Sequence, residues 1–185
     1  MSRQLSIPFV ALLLISCGSD PVSYSAPVGI SLDAKSTDVT AGQISVDKNI
    51  TTESGNPYGA FTNAAVQKLG RDPSRIAVTS ATLVLESSST GVTSLQQVFG
   101  GTATVSFQMN GSRAVHPVAS VASPSGAGPL GMAVVFDSSG MSSTDYADLV
   151  GGNFKVVLGG PAAAGFGAVS ATAKMDVTFT FVAYE

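Results

Sequence analysis

The sequence predicts an all-β fold: a two-sheet β-sandwich of about eight strands with one helix and one or two short helical turns, a strand count that a jelly-roll arrangement fits. Three observations carry this. Only 11% of the residues are charged, against about 25% in an ordinary globular domain. Serine, threonine, glycine, alanine and valine take their place, and the β-branched members of that set suit a pleated surface. Several runs alternate apolar and polar residues with a period of two. These runs do not alternate regularly with helical segments, which argues against a doubly wound parallel sheet.

In chain order, residues 29–36 place Ile30, Leu32 and Ala34 on one side and Ser31, Asp33 and Lys35 on the other, a half-buried strand. Gln43 to Ile50 repeats the pattern, and the turn-like residues 37–42 suggest that the two form a hairpin or neighbouring strands. Residues 56–70 read as a helix: Asn56 caps it, Pro57 suits its first position, and Gly70 suits the place just past its end. Tyr58, Phe61, Ala65 and Leu69 fall on one face. Residues 75–86 carry apolar side chains on both faces, Ile76, Val78 and Val84 against Ala77, Ala81, Leu83 and Leu85, which predicts a central strand covered on both sides.

Residues 93–99 suit one or two helical turns. Residues 102–110 and 113–121 flank Asn110-Gly111, a strong short-range hairpin signal. A loop by composition follows at 123–131, then a short apolar strand at 132–137. Residues 142–149 read as a short helix, with Ser142 as cap and Asp145 three residues on in the manner of a capping box. Residues 154–158 are another strand and 159–167 a glycine- and alanine-rich loop. Residues 172–184 give the clearest strand, with Met175, Val177, Phe179, Phe181 and Ala183 alternating against Lys174, Asp176, Thr178, Thr180 and Val182.

The amino-terminal segment follows a different logic. Arg3 precedes an apolar run from Leu5 to Ile15, and small residues follow it, the three-part layout of a secretory signal. Eleven residues are too few for a spanning helix, which needs about 20. Leu14-Ile15-Ser16-Cys17 resembles the lipobox of bacterial lipoprotein signal peptides. Cys17 is the chain's only cysteine and so has no partner for an internal disulfide. The resemblance covers residues 1–17 and implies cleavage before Cys17, a diacylglycerol on its sulfur and an acyl chain on its new amino group. Each buried methylene contributes about 0.8 kcal/mol, so three chains amount to lasting attachment. Gly18 stands where an aspartate in that family signals inner-membrane retention, which favours the outer membrane. The expected organisation is a signal peptide at 1–16, a lipidated cysteine and tether at 17–28, and a β-sandwich domain at 29–185. Residues 18–28, polar with two prolines, would reach at most about 35–40 Å.

Cleavage removes Arg3 and leaves eight basic and twelve acidic residues, moving the formal charge from −3 to −4. No basic patch survives, which argues against nucleic acid as a partner. The single histidine, His116, precedes Pro117 in a strand pattern and lacks a recognisable nucleophile and orienting acid, so it reads as structural. One histidine and an acylated cysteine are too few ligands for a protein-built zinc site, and no cofactor is expected. Ser45-Val46-Asp47-Lys48 matches Ser-x-x-Lys, but it lies in a strand pattern without its companion motif and reads as coincidence. The same reading applies to the sequons at Asn49 and Asn110. The glycine-rich pieces at 159–161 and 165–167 have no following helix to make a phosphate cradle.

Asp137, Asp145 and Asp148 gather in one connection and are weak calcium candidates, since hard oxygen ligands suit that ion; solvated loop acids are the plainer expectation. Leu130, Met141 and Phe166 are candidates for an exposed contact patch, although Phe166 is better explained as tucked beneath its own loop. The functional expectation is a membrane-anchored, non-enzymatic cell-envelope module that binds another envelope protein or a surface glycan, or serves as an accessory subunit. The alternatives are an envelope hydrolase acting through aspartates, and a calcium-stabilised adhesive module.

Overall fold

The alternation in the last strand decides the layout. Met175, Val177, Phe179, Phe181 and Ala183 are all no more than 2% exposed, so this strand must lie inside a sheet with its apolar face against a second layer. The computed structural model describes residues 22–53 and 55–185. The expected leader, Cys17 and the expected tether residues 18–21 lie outside them. Among the described residues no helix is long and apolar enough to cross a membrane.

The elements are β1 (Ser23–Lys35), β2 (Gln43–Ile50), α1 (Pro57–Leu69), β3 (Arg75–Leu85), β4 (Ala103–Met109), β5 (Val115–Val121), β6 (Leu130–Gly131), β7 (Ala133–Val134), α2 (Ser143–Val150), β8 (Phe154–Pro161) and β9 (Thr172–Tyr184). They form two antiparallel sheets, ordered β1-β9-β3-β6 and β2-β8-β4-β5-β7. With the chain passing back and forth between the sheets, this is the strand order of a jelly roll, with β7 added at one edge. The predicted sandwich is therefore the observed fold.

Besides the extension of β8 through Pro161, four details differ from expectation, each for a physical reason. First, β1 and β2 do not form a hairpin: they are edge strands of opposite sheets, and the 3-10 turn Ser36–Asp38 carries the chain across. Second, β1 begins at Ser23, so residues 23–28 belong to the sheet rather than the tether. Ser23 to Val28 pair with Tyr184 to Phe179. Pro27 does not prevent this, because an edge strand has one row of amides with no ladder to join. Third, β3 is not covered on two faces along its length; on the outer face only Ala77 is buried. A bulge between Val78 and Ser80 inserts one residue, so the phase flips. Ile76 and Val78 before it and Ala81, Leu83 and Leu85 after it all face the same core. Fourth, the apolar run at 132–137 is not one strand. Leu130–Gly131 joins β3 in the first sheet and Ala133–Val134 joins β5 in the second. Met132, whose amide donates to the Ala81 carbonyl at 2.9 Å, marks the crossing.

Both helices form where the caps place them. The Asn56 side chain accepts from the Tyr58 amide, and Gly70 closes α1 in a left-handed conformation with φ 72°. Ser142 accepts from the Asp145 amide at 3.1 Å to start α2. Tyr58 and Phe61 of α1 enter an aromatic cluster with Phe154, Phe107, Phe179 and Phe181. Neighbouring ring centroids lie 5.0–5.9 Å apart, a spacing that adds to the burial itself.

The sandwich has two different ends. At one, here the α2 end, lie the start of β1, the finish of β9, the β4–β5 hairpin and α2. At the other, the loop end, lie the connections 36–42, 86–102, 122–129 and 162–171.

Candidate functional site

The sequence-predicted acids come to rest at the α2 end, and protein donors occupy them. Asp145, in the first turn of α2, is 6% exposed. Ser112 of the β4–β5 hairpin donates to its Oδ1 at 2.5 Å, and His116 Nε2 of β5 lies 3.3 Å from its Oδ2. The Ser112 hydroxyl, then the Ser142 hydroxyl and the His116 ring, hold the Asp145 carboxyl below the usual carboxylate range against the opposing effect of burial. One turn later Asp148 accepts from the Gly111 amide at 2.9 Å and from Asn153 Nδ2 at 2.8 Å. A Cβ on Gly111 would stand 2.8 Å from Asp148 Oδ2. A side chain at residue 111 would therefore push the Asp148 carboxylate aside; the hairpin's positive φ falls on Arg113, at 64°. Asp137 pairs with Arg75 at 3.1 Å and accepts from the Ser139 amide at 2.9 Å.

These three acids are thus a clasp that fastens the hairpin and β3 to the segment around α2. Among the described residues no three His, Cys, Asp or Glu side chains gather to hold a metal. Serine, histidine and aspartate do meet here, a juxtaposition invisible in the sequence because it spans a hairpin and a helix. Their wiring is not that of a nucleophilic triad. In a triad the serine donates to histidine and histidine to the acid; here Ser112 donates to Asp145 and also accepts from the Ala114 amide at 3.0 Å.

Just past β3, Glu86 stands near Asp176 of β9, the partner of Val84 in the ladder. Asp176, through hydrogen bonding and then through its charge, raises the Glu86 carboxyl above its ordinary range.

The loop end holds a cleft of about 460 Å³, lined by Gly91, Val92, Gln96, Gln97, Gly100, residues 163–166 and Val169. Two connections build it. The 3-10 turn Leu95–Gln97 supplies the amides, and the loop after β8 supplies the other wall. Gln97 Oε1 accepts from the Thr93 amide at 2.7 Å and Gln96 Oε1 from the Gly126 amide at 2.6 Å. Both amide oxygens are thereby used, and neither Nε2 has a protein hydrogen-bond partner among the described residues. Phe166 is 2% exposed and forms part of the floor, beneath its loop as expected. Val169 is 47% exposed at the rim. None of the lining residues is ionisable.

The proposed contact trio does not assemble. Phe166 is buried at the loop end, Leu130 is half-buried beside Leu83 in the first sheet, and Met141 is half-buried near the start of α2. Large apolar side chains are instead exposed at Val22, Val115, Val135 and Val169. Val115 and Val135 border a trough of about 450 Å³ on the outer face of the second sheet, which shares Thr104 and Ser106 with a neighbouring trough of about 430 Å³. The only sequence trace of the cleft was two adjacent glutamines between glycines, which reads as a loop until the 162–171 connection folds against it. Neither a known protein-family pattern nor a curated protein matches the chain.

Proposed function

We propose that the protein is a lipid-anchored, non-enzymatic binding module of the bacterial cell envelope, held at Cys17 and presenting the loop-end cleft. The supporting observation is the chemical content of that cleft. It offers amide donors over an apolar floor and has no acid, base or nucleophile among its lining residues. General acid–base catalysis needs an ionisable group within reach of the reacting atoms. Binding of an uncharged, acceptor-bearing ligand, such as a neutral glycan or the backbone of an envelope protein, needs only shape, donors and exclusion of water.

The lipid anchor rests on the lipobox-like residues Leu14 to Cys17. The outer membrane is the favoured location because Gly18 replaces the aspartate that would retain the protein at the inner membrane.

The test uses a photo-crosslinking residue at Val169, at the cleft rim, in cells of the native host. The expected result is a discrete adduct with an envelope component. That adduct is lost when Ala164→Arg fills the exposed wall with a charged side chain. Cys17→Ala is expected to release the protein from membranes or block its processing. Adduct formation unaffected by Ala164→Arg would remove the cleft from the proposal, and a processed Cys17→Ala protein still in the membrane fraction would remove the anchor.

A further inference from the structure

We propose that the α2 end of the sandwich is a membrane-contacting face, seated in the headgroup zone of the bilayer that holds Cys17. The inference rests on the lipid anchor proposed above. The first support is chain length. Because β1 starts at Ser23 and pairs from there with β9, only six residue steps separate the first strand residue from the acylated cysteine. That is at most about 20 Å when fully extended, half the reach expected when residues 18–28 are all taken as tether. The α2 end is therefore leashed to the surface. The loop end stands one 13-residue strand farther out, about 43 Å at 3.3 Å per residue.

The second support is the side chains gathered there. Three of the four tyrosines, Tyr24, Tyr146 and Tyr184, are half-buried at this end, and Lys68 and Arg71 are exposed beside them. Tyr24 stacks on Phe61 at 6.0 Å, and Tyr184 lies under the Arg75 guanidinium at 4.3 Å. Tyr146 donates to the Pro73 carbonyl, tying α2 to the turn that carries Arg71. Tyrosine rings with one apolar and one wet edge, and long cations with apolar stems, are the side chains a headgroup layer accommodates. Asp72, Asp137, Asp145, Asp148 and Glu185 share the end with Lys68, Arg71, Arg75 and Arg113, so it carries no positive excess and the contact does not depend on anionic lipid. The four connections of the loop end contain no tyrosine, lysine or arginine.

The test takes full-length protein purified from its host's membranes into vesicles of phosphatidylethanolamine and phosphatidylglycerol containing a headgroup spin-labelled lipid. A fluorophore is attached at Arg71→Cys or, at the loop end, at Ser125→Cys. Both positions are exposed, and the acylated Cys17 sulfur does not react. Quenching at residue 71 should exceed that at residue 125 roughly threefold or more, given the strand length between them. Equal quenching, stronger quenching at residue 125, or none at either would overturn the orientation. Intact mass of the same sample reads the anchor separately: acyl groups present with the wrong quenching pattern reject only the orientation, and acyl groups absent reject the anchor and this inference with it.

Discussion

Asp145 and Glu86 are two acids that the fold pushes in opposite directions, and each fixes the sign of a pH effect. The folded state holds Asp145 below the carboxylate range, chiefly through the Ser112 hydroxyl. Its contribution is present above the unfolded value of about 3.9 and is lost as pH falls through the lower folded value. Asp145→Asn should therefore lower Tm at pH 7, with a deficit that shrinks as the solution is acidified below about pH 4. A deficit independent of pH in thermal melts would show that the carboxylate charge is not what closes the clasp. Glu86 is raised by Asp176, so its favourable contribution exists below about pH 4.3 and is lost as pH rises through the folded value. Glu86→Gln should raise Tm at pH 7 and leave it nearly unchanged near pH 4. Melting curves across that window check the sign. At this scale the sequence showed which residues were acidic and which helix Asp145 begins. It did not show that Ser112 and His116, brought alongside by the hairpin, would converge on one carboxylate.

Individual elements were legible wherever a local rule governed them. α1 follows from Asn56, Pro57 and Gly70, and β9 from its alternation, because caps and period act within a few residues. β3 was misread because a bulge cannot be seen in a pattern that assumes unbroken alternation. Its added residue exchanges which set of side chains faces inward, and only the partner strand β9 with its continuous register reveals this. Deleting Thr79 should remove the added residue and turn Ile76 and Val78 outward. At about 1.5–3 kcal/mol for each buried aliphatic side chain, the loss is roughly 3–6 kcal/mol, enough to abolish folding of a marginally stable domain. Thr79→Ala, an exposed substitution that keeps the residue count, should stay within about 0.5 kcal/mol. Chemical denaturation of the two variants separates register from side chain. A deletion as stable as the substitution would mean the core tolerates either phase. In β8, residues 159–161 looked like loop because glycine disfavours strands. They are strand because the neighbouring chains come too close for a side chain: a Cβ on Gly160 would stand 2.6 Å from the Thr102 carbonyl oxygen.

For the whole molecule, β9 is the strand that cannot be spared. It is hydrogen-bonded on both sides, to β1 and β3, and contributes Phe179 and Phe181 to the aromatic cluster. Deleting residues 177–185 should prevent folding, read as loss of the soluble, cooperatively melting species. A soluble truncated protein with unchanged Tm would make that strand peripheral. A quieter test concerns the other side of the same ladder. A chain starting at Gly29 would be unharmed if residues 23–28 were tether. Because those residues pair with Phe179 to Tyr184, the truncation should lower the denaturation midpoint measurably.

What the sequence by itself determined was the set of local choices: an apolar run before a lone cysteine, strand and helix periods, caps, and a composition suited to sheets. These follow from interactions among residues close in the chain. The tertiary structure decided which strands became neighbours, which face of β3 is buried, where the first strand begins, and that two connections distant in sequence enclose an uncharged cleft. Those outcomes depend on pairings across as many as 161 residues, as between Ser23 and Tyr184. Such pairings are chosen by burying every apolar face at once, a condition no short stretch of sequence can state alone.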